Sequence, residues 1–423
     1  MYLNKIKLSN FLFCLALFLS FFPHTTFGIF NLKGSQISLI FPLFFFIFLF
    51  FSINRLKLNI FILSVIMISF FAFMINFFVT DQYYLTLIIR TAANYFFFII
   101  LFICFNTYYY PNEENIRKII LSANFIWLIW GALQALGITS ENFAFTNRIV
   151  GTNIVSSRGL NSLATEPFYF GMILTLFNSF YLFKSNFKSF NLSITESRLL
   201  ILNFLTIFFI VKAATTSLIS LPIILVFFLK NHNFLSKKYI IVLLSILFIF
   251  FSAIYFFQID KTTNRGLGYF FTFLDPEQVK YLFLSDWSFN SRFENMVSPL
   301  IGLHLNNGMP GGFNGYLNLR DEIGIIFYNL TNLNFVSKID LNNINEMKIS
   351  GFLGDFIYQQ GIFGILIILL FVIKIFNNNS YFDSIIFLFM FFIITINPQM
   401  TFTFIPLLLF IAIYDKQNSQ IKN

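Results

Sequence analysis

The sequence predicts an all-α polytopic membrane protein with about twelve transmembrane helices and one large loop folded as a small helical cap. Three observations carry this. Charged residues make up 11% of the chain and apolar ones 57%, whereas a soluble domain carries about a quarter charged residues. Nearly uncharged runs of about 18 residues or more recur along the chain, each able to cross a bilayer as a helix. Lysine and arginine gather in alternate loops instead of spreading evenly.

In order, helices are expected at roughly 8–23, 37–53, 58–79, 83–105, 119–137, 167–183, 199–212, 216–229, 239–257, 351–373, 384–397 and 401–414. The first follows Lys5 and Lys7 as a signal peptide would, but no small-residue cleavage site follows, so it reads as a retained helix. The seventh and eighth are divided only by the slight break Lys212–Thr216. With the N-terminus inside, the inner segments hold Lys5, Lys7, Arg55, Lys57, Arg117, Lys118, Lys184, Lys188, Arg198, Lys230, Lys237, Lys238, Lys374, Lys416 and Lys422. The short outer loops hold only Lys33, Arg148 and Arg158. This bias puts both termini in the cytoplasm. Residues 1–257 then carry helices one to nine, with an enlarged third outer loop at about 138–166. Residues 258–350 form the large outer loop, and 351–423 carry the last three helices and an inner tail.

The net charge of +9 lies mostly in the inner segments, so it does not point to nucleic acid. The large loop itself balances seven Lys or Arg against nine Asp or Glu. Within it, Phe289, Phe293, Met296, Val297, Leu300 and Ile301 fall at helical spacing, and the turn-rich Asn306–Tyr316 follows. Cys14 and Cys104 lie in apolar spans and read as packing residues. The 68 phenylalanines read as composition bias. Walker loops, dinucleotide fingerprints, GxSxG, HExxH and Asp-x-Asp pairs are all missing from the sequence. The three histidines, His24, His232 and His304, are far apart, so no metal site and no cofactor is expected.

What remains is a set of charged residues on the outer side. The segment SSRGLNSLATEPFYFG, 156–171, carries Arg158 and Glu166, with Arg148 ten residues before Arg158. The segment SRFENMVSPLIGLHLNNGMPGG, 291–312, carries Arg292 and His304. Asp355 opens the next helix, and Arg90 sits near the outer end of the fourth. A guanidinium donates paired hydrogen bonds to phosphate oxygens and stays charged at low dielectric, which suits it to a lipid diphosphate. Transfer to a sugar hydroxyl needs one base, for which Glu166 and His304 are the candidates. Each residue also has a structural reading. Arg148 and Arg158 suit lipid headgroups, and Arg292 suits a solvated helix edge. An acid such as Glu166 beside Pro167 suits a first helical turn. Arg90 and Asp355 are harder to explain that way, because a charge at helix centre costs roughly 2.5–3.5 kcal/mol on insertion scales.

These features resemble the O-antigen polymerase and ligase superfamily of bacterial cell-envelope glycosyltransferases. The resemblance rests on the helix count, the enlarged third and fifth outer loops, and Arg158-Gly159-Leu160 with Glu166-Pro167. It also rests on Arg292 with Pro299–Gly302, followed by Gly351–Gly364. Arg148 and Gly159 show the arginine–ten residues–glycine spacing of some polymerases, while Gly302 falls one position short of it from Arg292.

The resemblance implies a GT-C-like, metal-independent, inverting transferase in the bacterial inner membrane, with a periplasmic site. It implies that Arg158 and Arg292 hold sugar or diphosphate. The implied partners are an undecaprenyl-diphosphate-linked oligosaccharide as donor and acceptor, membrane lipids and a chain-length regulator. Two rivals stand beside polymerisation. A ligase, passing finished glycan to lipid A–core, shares fold and donor, but the Glu166–Pro167 element favours polymerase where ligases more often carry Asn. A flippase or transporter of the lipid-linked repeat commonly has short outer loops and two similar halves.

Overall fold

In hydrocarbon every backbone N–H and C=O must be paired within the protein, so apolar runs can only become helices or closed barrels. The computed structural model describes residues 2–23, 46–50, 60–80, 85–109, 112–138, 159–164, 167–183, 193–213, 216–217, 219–224, 287–313, 319–333, 352–395 and 404–413. All regular structure among the described residues is helical. The elements are α1 (Tyr2–Ser20), α2 (Ile60–Val79), α3 (Leu85–Tyr108), α4 (Glu113–Ala135), α5 (Pro167–Phe183), α6 (Ile194–Thr206), α7 (Trp287–Leu305), α8 (Arg320–Thr331), α9 (Phe352–Gln360), α10 (Ile362–Asn378), α11 (Tyr381–Thr395) and α12 (Phe404–Ile413). Among the described residues, Ile60–Val79, Glu113–Ala135 and Ile194–Val211 are long and apolar enough to cross a membrane.

The expected ninth helix, 239–257, lies outside the described residues, as does most of the expected second. Elsewhere, helix starts follow local chemistry. Pro167 opens α5, where its missing N–H is one of the orphan donors in any case. Ser193 caps α6 in a reciprocal capping box with Glu196. The expected break near Lys212 is present: α6 runs on as the π-helical Ile207–Val211 and stops at Lys212, which is left-handed with φ 50°. The expected tenth helix differs. It is divided at Gly361 into α9 and α10.

The chain forms two compact units, residues 1–17, 41–113 and 279–423 in one, and 18–40 with 114–278 in the other. The first has a core built largely from phenylalanine edges. Phe13 stacks on Tyr108 and meets Phe46 and Phe105 edge-on. Phe98 packs against Phe356 and Phe371, and Phe102 against Phe371 and Phe410. Phe61 meets Phe371 and Phe71 meets Phe363, so α2 and α10 run antiparallel. Cys104 is buried in this core, its thiol 3.7 Å from the Phe46 carbonyl, a packing position. Whatever drives the composition, edge-to-face pairs give these rings favourable contacts beyond their buried area.

In the second unit α5 is central and almost wholly buried. Trp127 of α4 stacks between Phe22 and Phe170 and donates from Nε1 to the Phe21 carbonyl at 3.0 Å. Polar side chains tie the three helices. Asn124 donates to the Tyr181 hydroxyl at 2.8 Å, and Asn203 to Asn178 Oδ1 at 2.7 Å. At one end, Arg117 makes a two-pronged pair with Glu196, 2.8 and 3.1 Å, while Ser193 donates to the same carboxylate from its backbone and hydroxyl. Glu196 is wholly buried, so this carboxylate depends on its donors. Arg117→Ala is expected to cost about 3 kcal/mol, the low end for breaking a buried pair, because the arginine side chain is 40% exposed. Thermal unfolding in detergent checks this; a melting point unchanged from wild type would refute it.

Candidate functional site

The large-loop segment that carries Arg292 and His304 becomes α7 and the turn after it. The amphipathic reading holds in part: Ile301 is buried and Phe293 and Val297 half-buried, while Met296 and Leu300 are exposed. The buried side packs with Ile323 and Phe327 of α8 and with Tyr358 of α9. Pro299 lies inside α7 and interrupts its hydrogen-bond ladder just before Gly302. The helix then ends in a Schellman pattern, with Gly308 N–H donating to the Leu303 carbonyl at 2.8 Å and Asn307 N–H to that of His304 at 3.0 Å. Asn307 takes the left-handed position that this ending requires.

From there the chain enters the break between α9 and α10. A broken helix leaves carbonyls at one stump and N–H groups at the other, and at membrane depth they need protein partners. The turn supplies them. Gly311 N–H donates to the Tyr358 carbonyl at 2.9 Å, and the Gly308 carbonyl accepts from Ile362 N–H at 2.8 Å. The Gln359 carbonyl accepts from Asn76 Nδ2 at 2.8 Å. Asn76 is wholly buried in the last turn of α2, and its Oδ1 accepts from Gly312 N–H at 2.8 Å. Thr80 accepts from Phe313 N–H at 3.1 Å, and Phe313 packs its ring against Phe73 and Phe77. Tyr358 is clasped between Gly302 and Gly311, where a Cβ on either glycine would run into its ring. The Asn306 side chain hydrogen-bonds the Tyr358 hydroxyl. One rigid knot therefore joins α2, α7, the 306–313 turn, α9 and α10.

Of the sequence candidates in this unit, His304 stands exposed in the last turn of α7. Arg292 lies in the second turn of α7, Asp355 in α9 and Arg90 in the second turn of α3; their side chains lie outside the described set. The knot thus brings the helices bearing Arg292, His304 and Asp355 together.

In the other unit, Arg148, Arg158 and Glu166 lie outside the described residues. The chain between Arg158 and Glu166 is described, and it is held tightly. Gly159 presses against the carbonyls of Ile210 and Val211, leaving no room for a Cβ, and Leu160 N–H donates to the Ile210 carbonyl at 3.0 Å. Gln134 reads the backbone of Ser162 at both ends, accepting at 2.7 Å and donating at 3.1 Å. The Ser162 hydroxyl donates to the Trp127 carbonyl at 2.9 Å. Arg158 is thus followed directly by a pinned segment at the ends of α4 and of the π-helical extension.

The residues that build these two anchors, Asn76, Thr80, Gln134 and Tyr358, were not singled out from the sequence. The available signal was an uncharged polar residue inside an apolar run, as at Asn76 in FMINFFV and Gln134 in GALQAL. Comparison with protein-family models, curated proteins and solved structures gave no match.

Proposed function

We propose that this chain polymerises lipid-linked oligosaccharide, joining undecaprenyl-diphosphate-linked repeats at the outer face of a bacterial inner membrane. The observation that carries the reading is the knot at the α9–α10 break. Segments that the charge bias assigns to one side of the membrane meet there: the end of α2, the turn after α7, and the start of the tenth expected span. Irregular backbone sealed in this way forms a rigid rim at the membrane surface, where a lipid diphosphate has to be presented. The pinned 159–164 segment gives a second rigid anchor, directly after Arg158. Arginines on such supports hold phosphate oxygens through paired, charge-assisted hydrogen bonds. An acceptor hydroxyl then attacks the anomeric carbon, the diphosphate departs, and one base takes the proton. Glu166 and His304 are the base candidates from the sequence, and the exposure of His304 leaves it open to solvent and substrate. Twelve spans and a GT-C-like arrangement belong to this proposal. Broken helices also build the substrate sites of secondary transporters, so lipid transport is the second reading.

Purified protein in vesicles, given one undecaprenyl-diphosphate-linked repeat, tests these readings together. A ladder of glycan lengths, unchanged by EDTA, is the expected result. Transfer only when lipid A–core is supplied would mean ligase, and passage of the lipid across the bilayer without any product would mean transporter. Loss with EDTA and rescue by magnesium would overturn the metal-independent mechanism.

A further inference from the structure

We propose that the interior of the α4–α5–α6 bundle holds bound water at Asn124, Asn178 and Asn203, a site that does not depend on the polymerase reading. Asparagines inside apolar helices need a reason, because in hydrocarbon an amide must find its partners within the protein. Asn124, Asn178 and Asn203 are each wholly buried, and Asn203 lies within Ile194–Val211, a length apolar enough to cross a membrane.

Two fixed points bring the three together. At one end Arg117 of α4 pairs with Glu196 of α6. At the other, the 159–164 segment ties Trp127 and Gln134 of α4 to the Ile210 carbonyl at the end of the π-helical extension. α4 and α6 therefore run parallel. Asn124 lies seven residues beyond Arg117 and Asn203 seven beyond Glu196, so both stand two turns from the ion pair, at one level. α5 meets them there. Its Asn178 and Tyr181, one turn apart on the same face, accept from Asn203 and Asn124 respectively.

These bonds use only part of each amide. Asn124 Oδ1 and Asn203 Oδ1 are enclosed acceptors and Asn178 Nδ2 is an enclosed donor, and none of the three atoms has a hydrogen-bond partner among the described residues. Buried polar atoms are nearly always paired, so the set calls for a molecule that the chain does not supply. Two acceptors and one donor match water, which donates twice and accepts once in making the roughly three bonds usual for a buried water. An ion fits worse. A cation would meet the Asn178 N–H groups, and an anion would meet the two amide oxygens. The backbone changes at the same level: directly after Asn203 the turn of α6 widens. The Ile207 N–H is shared between the Asn203 and Phe204 carbonyls, and the chain continues as the π-helical Ile207–Val211.

Radiolytic labelling of the full-length protein in lipid vesicles tests the proposal. X-ray pulses turn water into hydroxyl radicals, which oxidise a buried side chain where water is bound beside it. Tyr181 is 1% exposed and its hydroxyl holds Asn124, so it reports on the site. Phe105, wholly buried in the phenylalanine core of the other unit, reports on dry protein. Mass spectrometry is expected to find Tyr181 oxidised at least about tenfold faster than Phe105. Equal rates overturn the proposal, whether both residues are protected or both are labelled. The double variant Asn178→Leu, Asn203→Leu replaces two bonded partners by apolar groups of similar size, so it is expected to fold and to melt near the wild type. It removes two of the three atoms offered to water, and Tyr181 oxidation should fall at least about fivefold while Phe105 stays unchanged. A folded double variant that labels Tyr181 at the wild-type rate refutes the assignment to these amides. If the double variant does not fold, the wild-type ratio of Tyr181 to Phe105 decides. Loss of Tyr181 labelling when sodium chloride replaces choline chloride would mean that a cation fills the site, and would overturn the water assignment.

Discussion

Gly361→Ala is expected to lower stability by roughly 3 kcal/mol or more, the sum of backbone strain and overpacking. Gly361 sits at φ 59°, ψ −140°, a conformation that costs an L-residue dearly. An added Cβ would lie 2.6 Å from the Gly308 carbonyl oxygen, the Met309 carbonyl carbon and the Pro310 nitrogen. All three are backbone atoms, so relief requires the whole turn to move. Movement would cost the Gly308–Ile362 and Gly311–Tyr358 hydrogen bonds and leave both stumps of the broken helix unpaired. The variant should melt earlier in detergent and be cut by protease within 306–316 sooner than the wild type. Wild-type melting with wild-type protection would show that the knot is looser than its geometry implies.

The same knot shows where sequence reading succeeds and where it stops. Pro167 suits the first turn of α5 through its own chemistry, and the described helix, Pro167–Phe183, lies within the apolar run that hydropathy marks. The slight break at Lys212–Thr216 is likewise local, and Lys212 takes up the left-handed conformation there. The division at Gly361 was hidden, because Gly361–Leu370 reads as one apolar run and hydropathy continues across it. What permits the break is remote: Asn76, 283 positions before Gln359, and the turn at 308–311. Arg117 teaches the same lesson. Its charge suggests a loop, yet it lies inside α4, since Glu196, 79 positions later, supplies the counter-charge. Residue types and local periodicity are written in the chain; the long-range partner that makes a polar residue tolerable in an apolar place is not.

Arg158→Ala and Arg292→Ala are each expected to leave the protein in the membrane at wild-type yield and to abolish long glycan, a fall of roughly 100-fold or more in chain growth. Gly159, Leu160 and Ser162 hold the chain after Arg158 through backbone groups, and α7 is fixed at its far end by the Tyr358 clasp. Folding and function should therefore separate. The lysine variants sharpen the test, since lysine keeps the charge but loses the planar fork that pairs with two phosphate oxygens. If the role is to grip a diphosphate, Arg158→Lys and Arg292→Lys should recover only a minor part of the rate, at least about tenfold below wild type. If the role is to anchor lipid headgroups, a lysine serves nearly as well, and normal glycan lengths should return. Glycan gels from vesicles holding equal amounts of each variant distinguish the two, and normal chains from any alanine variant would remove that arginine from the diphosphate clamp.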